Sequence, residues 1–291
     1  DFGLISNPEF LQESKAIHDT IEPHAIVLGG YKTKFMNKTR KFFSRFNPGI
    51  PIIITNHQTA EMIKYANNSF LATKISFINQ LANICQKIPD TNIDDIAETI
   101  GLDPRIGNLF LDAGPGYGGS CLPKDMKAII NLSSKVGVKP TMLNAVEKTN
   151  KQQINNIIEL IKQNIGKIKG KKITVLGVAF KPNTDDVRDS TSIELIRRLI
   201  KSGAIVKIHD PKALDNARKI FRDRIKYANS IPSALKNSQC AIIMTKWKEY
   251  ERINNKAAKS MNKKFVIDTR RILSDKNLGV KYHGIGLGQK T

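Results

Sequence analysis

The residues best equipped for chemistry lie in Gly114-Pro-Gly-Tyr-Gly-Gly-Ser-Cys-Leu-Pro-Lys-Asp125. One thiol, Cys121, follows a glycine run and precedes a carboxylate, Asp125, by four residues. Glycine lets a backbone turn tightly and approach a ligand closely. Pro123 suits a first helical turn, and the spacing of Met126, Ile129 and Ile130 predicts a helix over 123–136. Cys121 then stands at a helix N-terminus, where unpaired N–H groups and the positive dipole end favour a thiolate. That chemistry is nucleophilic attack. The alternative is a small residue that follows the glycines for packing alone.

Other polar groups recur at useful spacings. Lys64 and Asn68 stand one helical turn apart, so a cation and an amide share a face and can steady a developing oxyanion. The plainer reading is an exposed lysine beside a neutral neighbour. Glu9 and Glu13 follow Asn7-Pro8, a plausible helix start, and suit either acid–base work or the helix dipole. Arg105 in Asp103-Pro-Arg-Ile-Gly-Asn108 and Arg188 in Asp185-Asp-Val-Arg-Asp-Ser190 sit in turns where a fixed guanidinium suits phosphate. A loop salt bridge explains the same spacing. Gly114-x-Gly116-x-x-Gly119 matches the dinucleotide fingerprint formally, but Leu109–Ala113 makes a poor first strand. Cysteine and proline directly after the glycines are also wrong for that motif.

The elements that must position these groups read in three stretches. Ala25–Gly30 and Ile50–Ile54 are strand candidates flanking a basic helix at 33–46, and Gly3–Ser6 reads like the tail of a strand. Ala60, Ile63, Ala66, Phe70 and Leu71, then Ile75, Ile78, Leu81 and Cys85, hold helical period from 60 to 85. A helix of that length suits a domain connector or a dimer interface. Helices at 91–100, 123–136 and 141–165 follow, and Gly166 and Gly170 bracket a lysine-rich hinge. Beyond it, strand 172–177, helix 190–202 and strand 204–209 form a βαβ unit, and strands 240–244 and 264–268 extend one parallel sheet. The turn after the first of these strands, Gly177-Val-Ala-Phe-Lys181, lacks the second and third glycines. Its backbone donors and Lys181 remain suited to a phosphate or a base.

Composition narrows the partners. With 40% hydrophobic and 25% charged residues, the chain reads as a globular protein without a membrane span or signal peptide. Three widely spaced cysteines argue against a disulfide framework and for a reducing cytoplasm. Five scattered histidines and no CxxC pair leave no metal constellation. The net charge of +21 is diffuse, with no arginine-rich arm or aromatic-basic signature. It therefore points to an anionic small molecule ahead of nucleic acid.

Taken in order, five motifs resemble the UDP-glucose/GDP-mannose dehydrogenases over essentially the whole chain. They are Asn7-Pro-Glu-Phe-Leu-Gln-Glu13, Lys64-Tyr-Ala-Asn-Asn-Ser-Phe70, Arg105-Ile-Gly-Asn108, Gly116–Asp125 and Gly177–Arg188. Gln12 and Ser14 depart from the usual neighbours, at positions with no proposed role. The resemblance implies an α/β fold in three parts. These are a remnant of an N-terminal Rossmann domain (1–54), a central helical dimerisation and catalytic domain with a long helix (55–165), and a C-terminal Rossmann-like UDP-binding domain (166–291). The chain opens at Asp1 without a glycine fingerprint, so the expectation is that an N-terminal NAD-binding domain lies elsewhere and that the chain alone is inactive.

The resemblance also implies roles. The family oxidises a sugar-nucleotide primary alcohol to a carboxylate in two NAD-dependent steps. Cys121 would form a thiohemiacetal and then a thioester, Lys64 and Asn68 would stabilise oxyanions, and Asp125 and Glu9 would handle a proton and the hydrolytic water. Glu13, Lys124 and Arg188 match positions that help hold NAD. Phe10, Leu11, Phe110, Tyr117 and Gly118 match the nucleotide-sugar pocket, as do Phe180, Lys181 and Arg270. Arg105 matches an arginine contributed by the neighbouring subunit, which implies a homodimer built on the long helix. Within the family, Ser120–Asp125 resembles the UDP-glucose and GDP-mannose branches more than the N-acetylmannosamine branch. Gly114–Gly118 and Asp268-Thr-Arg-Arg271 resemble the UDP-glucose branch, which implies oxidation to UDP-glucuronate. The alternatives are the GDP-mannose or UDP-N-acetylmannosamine branches, or a non-catalytic subunit that binds nucleotide sugars.

Overall fold

The computed structural model describes residues 2–263, 265–274 and 276–289. The chain divides into two units, residues 1–70 and 71–291. The first unit holds α1 (Ala16–Ile21), β1 (Ile26–Gly29), α2 (Thr33–Phe46), β2 (Ile52–Thr55) and the first part of α3 (His57–Cys85). β1 and β2 pair in parallel from Ile26–Ile52 to Gly29–Thr55. Ile26, Leu28 and Met36 form the unit's core, with Ile5, Phe43, Ile50 and Ile52 packed on it. Asn56 starts α3, its Oδ1 accepting the Thr59 N–H at 2.8 Å, as a cap does.

Two expectations for this unit are corrected. Residues 3–6 make one antiparallel bridge, Ser6 with Gly29, instead of a strand. Asn7-Pro8 does not start a helix, because Asn7 Nδ2 donates to the Val27 carbonyl and holds the chain extended beside β1. Glu9 turns its carboxylate back onto the Leu11 N–H, and Ser14 is left-handed at φ 70. Helix begins only at Ala16, so Glu9 and Glu13 do not share a helical face.

The second unit runs from the remainder of α3 through α4 (Ile93–Gly101), α5 (Leu122–Lys135) and α6 (Thr141–Ile165). Then follow β3 (Lys172–Leu176), α7 (Thr191–Lys201), β4 (Ile205–His209), α8 (Leu214–Phe221), β5 (Lys226–Tyr227) and α9 (Ile231–Leu235). β6 (Cys240–Ile243), α10 (Asn255–Lys259), β7 (Phe265–Asp268) and β8 (Lys281–Gly284) complete it. Lys264, the first residue of the expected strand 264–268, lies outside the described residues. The six strands are all parallel, in the order β5-β4-β3-β6-β7-β8. That is the doubly wound order of nucleotide-binding sheets, with its switch point between β3 and β6.

Strands buried on both faces should read as apolar runs, and Ile173–Leu176 and Cys240–Ile243 do. β5 is two residues long and β8 is Lys-Tyr-His-Gly, so neither offers such a run. α6 reads as polar in sequence, yet Ile154, Ile157, Ile158, Ile161 and Ile165 line one face and enter the sheet's core. Burying an isoleucine is worth about 1.5–3 kcal/mol, so this stripe ties the helical segment firmly to the sheet. Gly166, at φ 73, ends the helix. Around α3, Ile78, Ala82 and Cys85 pack with Ile93, Leu111 and Ala113, while Ala72 joins Tyr117, Met126 and Val146. Among the described residues no helix is long and apolar enough to cross a membrane.

Candidate functional site

Cys121 is the N-cap residue of α5, and it is exposed while Cys85 and Cys240 are buried. Burial pushes the Cys240 thiol up, which leaves it inert. Cys121 Sγ lies 3.6 Å from Ser120 Oγ, and the Cys121 carbonyl accepts the Asp125 N–H at 2.9 Å. Asp125 is 3% exposed, with Lys124 Nζ 3.5 Å from its Oδ1. The predicted arrangement is therefore in place: a thiol at a helix start with a carboxylate one turn on.

The glycines before it are needed for close approach. Gly116 and Gly119 are left-handed, at φ 101 and 86. A methyl group on Gly119 would meet the Phe180 ring at 2.7 Å, and one on Gly118 would strike the Asp189 carbonyl oxygen. A methyl on Gly114 would sit 2.7 Å from Arg270 Nη1. Asn150 clamps the loop's middle, its Oδ1 accepting the Tyr117 N–H at 2.7 Å and its Nδ2 donating to the Tyr117 carbonyl at 3.0 Å. Gly119 donates its N–H to the Arg188 carbonyl at 3.1 Å. The loop thus brings Tyr117, Gly118, Phe180, Arg188 and Arg270 around the segment that carries Cys121. The Tyr117 ring itself is buried among Ala72, Met126 and Val146, and burial with Glu147 nearby raises its hydroxyl's pKa.

In the first unit, Lys64 Nζ donates to the Glu9 carbonyl at 2.6 Å and to Glu9 Oε1 at 3.1 Å. It also lies 5.6 Å from the centre of the Phe10 ring, which packs edge-on against His24. Residues 55 positions apart, Glu9 and Lys64, are thereby brought together with Phe10 and Leu11. Asn68 follows one turn along α3, 6% exposed, its Oδ1 accepting from Asn67 Nδ2 at 3.2 Å. Glu13 is half-buried in the turn before α1.

Arg105 and Arg188 adopt the same local form. Each guanidinium returns to the aspartate two residues earlier, Asp103 at 2.6–3.1 Å and Asp186 at 2.7–3.0 Å. The Arg105 guanidinium holds the Asp103 carboxyl below the usual carboxylate range. The loop salt bridge is thus the local state of both, and the Arg105 side chain is 86% exposed. Phe110 sits in the same loop with a left-handed backbone at φ 65. Lys74 holds that loop to α3 through the Ile106 and Gly107 carbonyls, at 3.0 and 3.1 Å.

One sequence expectation fails here. The turn after β3 does not offer its first backbone donors to a ligand, because Asp210 Oδ2 accepts the Val178 and Ala179 N–H groups at 2.7 and 3.1 Å. Phe180 donates to the Asp186 carbonyl. The remaining group of that expectation is the Lys181 side chain, 5.5 Å from the Phe180 ring centre.

Arg271 was visible only as part of a motif, and its role is structural. Its side chain is 1% exposed and donates to Asp94, Asp112 and the Ala113 and Ile285 carbonyls at 2.8–3.1 Å. It fastens the start of the glycine loop to the end of the sheet. Asp94 and Asp112 are ordinary surface-type residues in sequence, so no local signal marked the cluster. A cleft of about 530 Å³ between α5, α6 and residues 187–191 is lined by Lys127, Glu147, Lys151, Arg188 and Arg197. Cys121 does not line it.

For a dinucleotide, the described residues offer the exposed Lys124 ammonium and Arg188 guanidinium, apt for phosphate, and the Glu13 carboxylate, apt for a ribose hydroxyl. Taken one by one within their own units, these groups suit the phosphates and a ribose of NAD.

Residues 58–152 match the model of the UDP-glucose/GDP-mannose dehydrogenase family, central domain. Residues 174–275 match the same family's UDP binding domain, and residues 1–47 its NAD binding domain. A UDP-glucose 6-dehydrogenase of Rickettsia conorii is 40% identical over 291 residues, covering 98% of this chain and 67% of that protein. The chain belongs to the UDP-glucose/GDP-mannose dehydrogenase family. UDP-glucose 6-dehydrogenase TuaD of Bacillus subtilis is 39% identical over 289 residues, covering 98% of this chain and 62% of that protein. A solved UDP-glucose dehydrogenase from Pyrobaculum islandicum shares the fold with a TM-score of 0.91 at 34% identity, covering 99% of this chain and 64% of that one. The chain therefore spans less than two thirds of the length of these last two. Lys64, Asn68, Arg105, Cys121 and Asp125 fall within the family's central-domain match, and Phe180, Arg188 and Arg270 within its UDP-binding match.

Proposed function

We propose that this chain carries the covalent-catalysis and nucleotide-binding parts of an NAD-dependent UDP-glucose 6-dehydrogenase, which oxidises the sugar's primary alcohol to a carboxylate. The observation that carries this reading is the exposed Cys121 at the start of α5, in a glycine loop pinned against Phe180, Arg188 and Arg270. The substrate follows from the relatives, two of which are named as UDP-glucose 6-dehydrogenases. The division into segments 1–54, 55–165 and 166–291 assigns them to cofactor, catalysis with dimerisation, and UDP.

NAD, held in part by Glu13, Lys124 and Arg188, supplies the hydride acceptor for both oxidations. Cys121 Sγ adds to the carbonyl carbon of the intermediate aldehyde, and the thiol proton leaves as the new C–S bond forms. This thiohemiacetal keeps the aldehyde from escaping, and oxidation at its carbon leaves a thioester. Water then adds to the thioester, the C–S bond breaks, and the carboxylate departs as the thiol is restored. Lys64 and Asn68 donate to the oxyanions that arise at each addition. Glu9 and Asp125 take and return the protons of the thiol and the water. Phe10, Leu11, Phe110, Tyr117, Gly118, Phe180, Lys181 and Arg270 bind the nucleotide sugar.

A homodimer belongs to the same proposal. Phe70, Phe77 and Ile84 recur every seven residues along α3 and are each about half exposed or more, an apolar stripe suited to a second copy. Arg105 then serves the neighbouring subunit's substrate.

The test is the product stoichiometry of the protein that carries this chain. It should form two NADH per UDP-glucose, and Cys121→Ser should lower acid formation by about 10³-fold while aldehyde formation persists. One NADH per sugar, or unimpaired acid formation by the serine variant, would overturn the reading.

A further inference from the structure

In a parallel sheet wound in this order, the turn after the central first strand normally presents N–H groups to a nucleotide's phosphates. Here that turn is Gly177-Val-Ala-Phe180, after β3, the strand between β4 and β6. Its geometry has the expected form. Gly177 is left-handed at φ 91, and a methyl there would meet Thr245 at 2.5 Å. The next two N–H groups converge on a single point.

That point is an oxygen of the protein itself. Asp210 Oδ2 accepts from Val178 at 2.7 Å, Ala179 at 3.1 Å and Trp247 Nε1 at 3.2 Å. Asp210 Oδ1 accepts from the Lys212 and Ala213 N–H groups at 2.9 and 2.8 Å. The residue is 3% exposed. Ser190 Oγ and Thr245 Oγ1 secure the turn's carbonyls, donating to Val178 at 2.8 Å and Ala179 at 2.7 Å. The two oxygens of this buried carboxyl group take five N–H donors between them, and converging N–H groups out of water need an acceptor.

We propose that Asp210 stands in for a phosphate, closing this sheet to a dinucleotide and fixing the turn as a rigid seat for Phe180 and Lys181. A phosphate entering the turn would find its donors taken and would face a like charge at contact distance. Exclusion of this kind is specificity by repulsion. It leaves the sheet able to hold a ligand through side chains at its rim, not through the turn's amides. The seat continues outward: Phe180 follows the two clamped residues, and its ring abuts Gly119, two residues before Cys121. Asp210 is thus a positioning residue. Its effect on the sugar nucleotide rests on the function proposed above, whereas the closure of the turn does not.

The experiment is amide hydrogen exchange on the whole chain, with inorganic phosphate as probe. In the native chain the Val178 and Ala179 amides should be protected, and millimolar phosphate should leave them unchanged. In Asp210→Ala they should exchange at least about tenfold faster, and phosphate should slow them again. Phosphate protection is the readout that a merely structural residue would not give. If the alanine variant does not fold, Asp210→Asn decides: its amide has one accepting oxygen, so one of the two N–H pairs should lose protection. Unchanged exchange in a folded variant, or phosphate acting equally on the native turn, would overturn the proposal. UDP-glucose titration forms a separate arm, where Asp210→Asn should weaken binding about tenfold. An unchanged dissociation constant would refute the seat. No binding to the native chain would refute the proposed function and leave the closure to the exchange data.

Discussion

The loop at 114–121 and the turn at 177–181 both set glycine after an apolar run, and both abut the C-terminal ends of parallel strands. The first spends its glycines on contact: Gly114, Gly118 and Gly119 admit Arg270, Asp189 and Phe180 where a side chain would collide. It ends at an exposed thiol. The second closes upon a buried carboxylate that consumes its donors. A glycine-led turn after a strand is therefore not in itself a ligand site. What decides is whether another part of the chain already satisfies the amides, and in these two turns the answers are opposite.

Removing the anchor of the first turn should have the largest effect on stability. Arg271→Met leaves the Ala113 and Ile285 carbonyls buried without this donor and releases two half-exposed carboxylates, and it should cost about 2–4 kcal/mol in urea unfolding. A loss near zero would mean that the sheet does not hold the glycine loop. Asn150→Ala cuts two hydrogen bonds to Tyr117 and should cost about 1–3 kcal/mol. Hydrogen exchange should then quicken at Tyr117 and stay unchanged at Val178 and Ala179. Coupled loosening of both turns would erase the distinction between them.

The smallest effect concerns pH and the second turn alone. Burial lowers the pKa of His209, against weaker upward pulls from Asp210 and Glu249. His209 lies under that turn, its carbonyl accepting the Gly177 N–H and the Tyr250 hydroxyl, each at 2.8 Å. Above the ordinary histidine value both folded and unfolded chains are neutral there. As pH falls through about 6.5 the unfolded chain takes up the proton first, so stability should decline toward the lower folded pKa. His283, also lowered by burial, adds to the same trend. Thermal unfolding from pH 8 to 5 should show the decline, and His209→Gln should reduce it. A slope of opposite sign would contradict this account of the turn's foundation.

Periodicity made the main elements legible. The helix at 57–85 lies where apolar spacing places it, and the helices at 33–46 and 141–165 lie where the sequence reads as a basic and a polar helical stretch. Four sheet strands stand on predominantly apolar segments, β4 with Lys207 within it. The strands β5 and β8 escaped because two residues, or a lysine and a histidine, carry no such run. The false helix start at Asn7-Pro8 followed from local propensity, which the bond from Asn7 to Val27 overrides. Within the candidate site, Cys121 and Asp125 were legible because one helix places them. The Glu9–Lys64 pair was not, since 55 residues separate its members. Asp210 and Arg271 were equally hidden, as their partners come from other strands and loops.

The account rests most heavily on a covalent bond between Cys121 and the sugar's oxidised carbon. The direct test uses Glu9→Gln in the protein that carries this chain, mixed with UDP-glucose and NAD, quenched in acid and digested for mass spectrometry. The account predicts that slowed hydrolysis leaves the sugar-nucleotide acyl group on the peptide containing Cys121, and that Cys121→Ser abolishes it. An unmodified Cys121 peptide during active turnover, with acid still forming in the serine variant, would contradict it.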